Sequence, residues 1–155
     1  MLVFETDSPV ETEQLGARLG SLLRSGDVIA LVGELGGGKT CFVRGVVQGA
    51  NSACADQVAS PTYALMHHYD GPVPIYHYDC YRLRGAEDAL EIGLTDQLTG
   101  EGICLVEWPE RISSELPADH LEIRFAHAGD DRRRISLLPH GLRAHELVIH
   151  LSQTP

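Results

Sequence analysis

No stretch of this sequence approaches the roughly 18 consecutive apolar residues that a membrane-crossing helix needs. The opening Met1-Leu2-Val3-Phe4-Glu5-Thr6-Asp7 lacks the basic start, apolar segment and small-residue cleavage site of an export signal. A soluble, cytoplasmic protein is expected. No two of the cysteines Cys41, Cys54, Cys80 and Cys104 show the C-x-x-C spacing of zinc or redox motifs, so free thiols are expected. Positive charge is also scarce, with 12 basic residues against 22 acidic and a net charge of -10. That sign opposes a broad grip on nucleic-acid phosphates, so any contact with RNA is expected to run through other proteins. The eight histidines are dispersed, and His67-His68 alone lacks metal-ligand spacing. There is no repeat, low-complexity tract or linker, and 155 residues at 43% hydrophobic suit one domain spanning 1–155.

What is present alternates between helix and strand signals. Ser8-Pro9-Val10-Glu11 reads as a capping box with proline at the first helical position, followed by Leu15, Leu19, Leu22 and Leu23 near one face with Val10. Val28-Ile29-Ala30-Leu31-Val32 is an unbroken apolar run of strand length, as in a strand buried on both faces. Residues 40–48 place Phe42, Val43, Val46 and Val47 at helical spacing. Two strands over 62–69 and 73–79, joined at Asp70-Gly71-Pro72, come next, then a short helix over 86–92. Ile103-Cys104-Leu105-Val106 is a second buried strand; a hairpin over 121–125 and 134–138 and an apolar segment over 147–151 complete the chain. The fold class expected is α/β, a single P-loop NTPase-like domain with a mixed central sheet flanked by helices.

Between the first buried strand and its helix lies Gly33-Glu34-Leu35-Gly36-Gly37-Gly38-Lys39-Thr40, which matches G-x-x-x-x-G-K-[ST]. Glycines there let backbone amides curl around a phosphate, and the helix N-terminus aims its unpaired amides and dipole at the same anion. Lys39 is a mobile cation for the β and γ phosphates of ATP, and Thr40 offers a hydroxyl to magnesium. Such a site needs a carboxylate at a neighbouring strand end, and both Asp79 and Glu107 qualify. Which of them touches the metal is open at this level. Trp108 either stacks on base or ribose or serves as a core or rim residue. Ser60-Pro61-Thr62 reads as a turn or as a segment sensing the γ phosphate. Arg82, Arg111 and the run Arg132-Arg133-Arg134 are cationic candidates, the triplet reading more readily as solvated surface.

Four blocks in this order, residues 33–40, Ser60-Pro61-Thr62-Tyr63, His77-Tyr78-Asp79-Cys80-Tyr81-Arg82-Leu83 and Val106-Glu107-Trp108-Pro109-Glu110, resemble the bacterial TsaE (YjeE) family over roughly residues 8–121. The resemblance implies a weak ATPase that acts with the TsaB and TsaD proteins in making N6-threonylcarbamoyladenosine on tRNA. It implies that hydrolysis of ATP to ADP resets that complex between cycles. It further implies that Lys39 and the loop hold phosphate, that Thr40 and Glu107 hold Mg2+, and that Asp79 assists the metal or the attacking water. Thr62 would lie by the γ phosphate, Trp108 near the nucleotide, and Arg111 would be a weaker phosphate contact. Tyr63, Tyr78, Cys80 and Cys41 depart from the family pattern without removing a needed charge or donor. Two rivals remain: a small-molecule kinase, disfavoured because no long arginine-bearing lid is present, and a nucleotide-dependent switch without meaningful turnover.

Overall fold

The computed structural model describes residues 1–34, 38–59 and 65–153. In chain order the elements are β1 (Leu2–Thr6), α1 (Pro9–Gly20), β2 (Val28–Val32), α2 (Lys39–Gly49), β3 (Met66–Tyr69), β4 (Ile75–Asp79), α3 (Ala86–Glu91), α4 (Leu94–Leu98), β5 (Ile103–Glu107), β6 (His120–His127), β7 (Arg133–His140) and α5 (Leu142–Gln153). The strands form one seven-stranded mixed sheet in the order β1-β7-β6-β2-β5-β4-β3. Strands β6, β2, β5 and β4 run parallel, and antiparallel pairings add β7 and β1 on one side and β3 on the other. No helix among the described residues is long and apolar enough to cross a membrane.

Period-two patterning sorts the two faces of the sheet. Ile29, Leu31, Leu105, Ile123 and Phe125 point to a core closed by α1, α2 and α5. Val28, Tyr78, Cys104 and Val106 point to a second core under α3, α4 and the 3-10 segment Pro109–Glu115. Cys80 and Cys104 sit in that second core, and all four cysteines are free thiols. Burial pushes the Cys80 thiol up to about 12, with Asp79 and Glu107 adding to the shift, and burial alone does the same to Cys104.

The start of α1 forms as the capping pattern predicts, the Glu11 amide donating to Ser8 Oγ at 3.1 Å with Pro9 in the first turn. Its buried face is the expected one at Leu15 and Leu19, with Leu22 and Leu23 packed against the same core, but not at Val10. Val10 is 63% exposed, Leu22 and Leu23 follow the helix end, and the inward residues are Thr12, Leu15, Gly16, Leu19 and Gly20. The reason is the approach of α2. A Cβ on Gly16 or Gly20 would lie 2.2 Å from the carbonyl oxygen of Phe42 or Val46. A Cβ on Gly45 or Gly49 would lie 1.9 Å or 2.1 Å from that of Glu13 or Ala17. Two glycine pairs thus let the backbones nearly touch, and they press α2 onto β2 below the glycine loop.

This packing sets a sign. Replacing a helical glycine by alanine ordinarily gains about 1 kcal/mol, but at Gly45 the new methyl meets backbone that cannot rotate away. Overpacking of this kind costs about 1–3 kcal/mol. Gly45→Ala is therefore expected to lower the melting temperature, by roughly 2–10 °C for a chain of this size. A rise in the melting temperature would show that propensity, not the helix contact, governs this position.

Candidate functional site

The carboxyl ends of β2, β5 and β4 meet at one edge of the sheet, where open parallel sheets bind ligands. Register brings the acids together: Asp79 is the pairing partner of Glu107 across β4 and β5, and His77 lies two residues before Asp79 on the same face. All three are buried, at 1%, 5% and 1% exposure for Asp79, Glu107 and His77. Asp79 Oδ1 accepts from the Tyr81 amide at 2.8 Å, which fixes the turn leaving β4.

Lys39 opens α2 and is 5% exposed. It is the only lysine in the chain. Its Nζ donates to the Gly33 carbonyl at 2.5 Å and stands 3.4 Å from Glu107 Oε1. The other oxygen, Oε2, accepts from His77 Nε2 at 2.7 Å. Glu107 is thus held from both sides by cationic or N–H groups. Burial pushes its carboxyl up, but the His77 hydrogen bond and the charges of His77 and Lys39 outweigh this and hold it below its ordinary value of 4.5. A depressed carboxyl stabilises the fold above its unfolded value and loses that contribution as pH falls through the native one. The stability gap between the protein and Glu107→Gln, measured by urea unfolding, should be widest above pH 4.5 and close on further acidification. A gap that stays constant down to pH 3, set by the approximate reach of such shifts, would contradict the pairing.

The glycine loop is described at its two ends, Gly33-Glu34 and Gly38 onward. Gly38 precedes α2 at φ 96° and, as the N-cap residue, offers no side-chain acceptor to the leading amides of that helix. Gly33 has φ 155°, and a Cβ there would stand 3.0 Å from the Phe125 carbonyl oxygen. Thr40 is half-buried in the first turn of α2, and Glu34 is exposed. The expected contributions of Leu35, Gly36, Gly37 and Thr62 lie outside the described residues.

Trp108 has φ 56° and ψ 51°, a left-handed conformation rare for a bulky residue and costing of order 1–3 kcal/mol. That turn lays the indole beside the lysine, with Lys39 Nζ 5.2 Å from the ring centroid. Tyr81 follows at 5.0 Å from Trp108, and the Arg111 guanidinium lies 5.6 Å over Tyr81. Trp108 therefore meets the cation of the loop directly, whereas the exposed Arg111 reaches the cluster through two rings. Two residues emerge that the sequence reading did not single out. His77, within the H-Y-D block, anchors Glu107, and the alternation His77, Asp79 along a strand is the signal that places both on one face. Arg133, from the triplet read as surface, runs beside the loop, its Cγ 3.5 Å from where a Cβ on Gly38 would stand. Only the strand pairing of β7 brings it there.

The fold and this convergence define a class: α/β proteins with a mixed sheet in which a G-x-x-x-x-G-K-[ST] turn, its lysine and a buried strand-end carboxylate meet at the ends of parallel strands. Within that class the comparisons are specific. The family model for threonylcarbamoyl adenosine biosynthesis protein TsaE matches residues 6–135, and the chain belongs to that family. The tRNA threonylcarbamoyladenosine biosynthesis protein TsaE of Bacillus subtilis is 37% identical over 98% of this chain and 94% of its own length. That of Treponema pallidum is 38% identical over 84% and 95%, and that of Streptomyces coelicolor 40% identical over 76% and 80%. The crystal structure of Bacillus subtilis YdiB superposes with a TM-score of 0.82 at 34% identity, covering 98% of this chain and 94% of that one. The likeness runs past residue 121, where the resemblance read from the blocks ends, and takes in the β6–β7 hairpin.

Proposed function

We propose that this protein binds ATP with magnesium in the 33–40 loop, hydrolyses it slowly to ADP, and serves tRNA threonylcarbamoyladenosine synthesis as an accessory to the TsaB and TsaD proteins. In this reading hydrolysis resets their complex between cycles, and tRNA is met only through that complex. The observation that carries the proposal is the convergence of Lys39, Glu107 and Asp79 at the mouth of an anion-shaped helix start. The family membership supplies the pathway.

The donor set suits the ligands. Thr40, Glu107 and Asp79 offer hard oxygens, the kind Mg2+ takes, and Lys39 with the leading amides of α2 offers cationic and N–H groups for phosphate. Bound magnesium would supply charge neutralisation at the phosphates. The protein's own groups do the rest. Lys39 trades its contacts with Gly33 and Glu107 for phosphate oxygens, His77 keeps Glu107 oriented and ionised, and Asp79 orients the metal shell or the attacking water. Slow turnover by the isolated chain follows, because the lysine starts in a buried pair that must rearrange. A partner that favours the rearranged state would raise the rate.

Glu107→Gln separates binding from turnover and so addresses the switch reading. Expected is retained ATP affinity with hydrolysis lowered by roughly 10²–10⁴, the usual weight of a positioned catalytic group. Unchanged hydrolysis in Glu107→Gln would remove Glu107 from the reaction.

A further inference from the structure

The sequence shows no histidine pair with ligand spacing, yet the sheet builds one. His120 opens β6 and His140 closes β7, and the two are direct pairing partners in the antiparallel ladder. Their rings stack with centroids 4.5 Å apart at 16°. Glu122, two residues along β6 on the same face, directs Oε1 to 3.5 Å from His140 Nε2. The three side chains offer ligand atoms that all lie within 4.8 Å of one another, and among the described residues no other trio of His, Cys, Asp and Glu does so.

We infer that His120, Glu122 and His140 form a site for one borderline divalent transition-metal ion, Zn2+ or its analogue Co2+, distinct from the nucleotide site. Two further observations point to a ligand. His120 Nδ1 donates to the Pro117 carbonyl at 2.8 Å, so in the neutral ring the lone pair is on Nε2. A backbone carbonyl holding the second imidazole nitrogen is the usual support of a metal-bound histidine. Arg124 Nε donates to Glu122 Oε2, which leaves Oε1 to face the histidines. Tetrahedral ligation at about 2.0–2.1 Å places ligand atoms about 3.3 Å apart. The Glu122–His140 pair already stands close to that at 3.5 Å, and a ligand nitrogen of His120 lies within 4.8 Å of both. The His140 side chain is 45% exposed, which gives an ion and a completing water a way in.

The site lies far from the loop chemistry. Leu121 pairs with Ile29 near the start of β2, at the opposite end of the strand from Gly33. Leu121, Ile123 and Phe125 face the core under α1, α2 and α5, so His120 and Glu122, alternating with them, lie on the other face. A bound ion would tie the first residue of β6 to the last of β7, just before α5 begins, and so hold the base of that helix. Three protein ligands of the His-His-carboxylate type leave the fourth position to water.

The test is a Co2+ titration of the full, EDTA-treated, nucleotide-free chain, followed by visible absorption and thermal melting. Expected are one ion per chain, the visible bands of a low-symmetry nitrogen and oxygen site without thiolate charge-transfer absorption, and a higher melting temperature with metal. His140→Ala and His120→Ala should weaken binding by more than the roughly 10–100-fold that loss of a supporting contact costs. His68→Ala, a half-exposed histidine outside the trio, should leave it unchanged. Melting of each variant in EDTA shows whether it is folded. Equal binding by folded His140→Ala, thiolate charge-transfer bands, or no binding by the folded parent protein would each overturn the assignment.

Discussion

Lys39→Ala should lower the affinity for Mg·ATP by about 2–3 kcal/mol, roughly 30–150-fold, measured by calorimetry. Hydrogen bonds between charged groups weigh this much because the phosphate oxygens would lose a cation that no neighbour replaces. No other lysine exists in the chain. Arg111 is exposed behind Tyr81, and Arg133 lies at Gly38, so neither stands where the Lys39 ammonium meets Glu107. The substitution also acts on the fold. Glu107 is 5% exposed and would keep only the His77 bond, so its carboxyl should rise toward the ordinary range, and some stability should be lost with it. The cores under β2 and α2 do not use the Lys39 ammonium, so far-ultraviolet circular dichroism should be preserved. Unchanged ATP affinity in a folded Lys39→Ala protein would refute the assignment of the loop.

Asp27→Ala should lower stability by about 3 kcal/mol, the low end for a broken buried pair, because the Arg143 guanidinium keeps only Glu146 and the Leu22 carbonyl as partners. Arg143 Nε and Nη2 donate to Asp27 Oδ1 and Oδ2 at 3.0 Å and 2.9 Å, a bidentate pair with 17% and 4% side-chain exposure. The hydrogen bonds to Asp27 hold Arg143 above its ordinary value against burial. The pair ties the loop entering β2 to the first turn of α5, whose leading amides at Arg143 and Ala144 are capped by Asp119 at 2.9 Å and 3.1 Å. Loss of Asp27 removes this tie while Asp119 and the core still hold the helix, at a cost that is a sizeable part of the roughly 5–15 kcal/mol total of a domain. Because Arg143 is then left with one half-exposed carboxylate, Glu146, much of the cost is that of its burial, and Asp27→Ala with Arg143→Met should be more stable than Asp27→Ala alone. Urea unfolding of both variants and the parent settles it: a single variant within about 1 kcal/mol of the parent, the range of exposed pairs, would mean the pair is effectively solvated.

The parts of this molecule that were legible in the sequence are those with a local signature. Strand β2, the glycine turn and α2 follow one another with an apolar run, fixed glycines and 3.6-residue spacing, and the structure places them at Val28–Val32 and Lys39–Gly49. Strand β5 announced itself in the same way and extends by one residue to include Glu107 itself. The hairpin was legible from its Gly129-Asp130-Asp131 turn, and its strands prove longer than their apolar centres, at His120–His127 and Arg133–His140. Strand β1 was missed because five residues at a sheet edge alternate too briefly, burying only Thr6 fully. Helix α5 was seen only as an apolar segment over 147–151, although Ala144, Leu147 and Leu151 stand at helical spacing. On α1 the expected Leu15 and Leu19 are buried, while Gly16 and Gly20 beside them make the contact with α2 and carry no hydrophobic signal.

In the candidate site the same division holds. Lys39 and Thr40 belong to a contiguous pattern with a known chemical logic, and the two acids stand at strand ends where a magnesium site needs them. The partnership of His77 with Glu107, the approach of Arg133 to Gly38 and the meeting of His120 with His140 all depend on strand register between distant segments. Register follows from which faces are buried across the whole sheet, and no local window contains it.

ATP hydrolysis by this chain with magnesium, alone and with purified TsaB and TsaD, using Lys39→Ala as the blank, tests the central claim most directly. Slow turnover that rises when both partners are present, and that Lys39→Ala abolishes in each case, is the expected result. Turnover that persists in Lys39→Ala, or ATP binding without hydrolysis whether or not the partners are added, would contradict it.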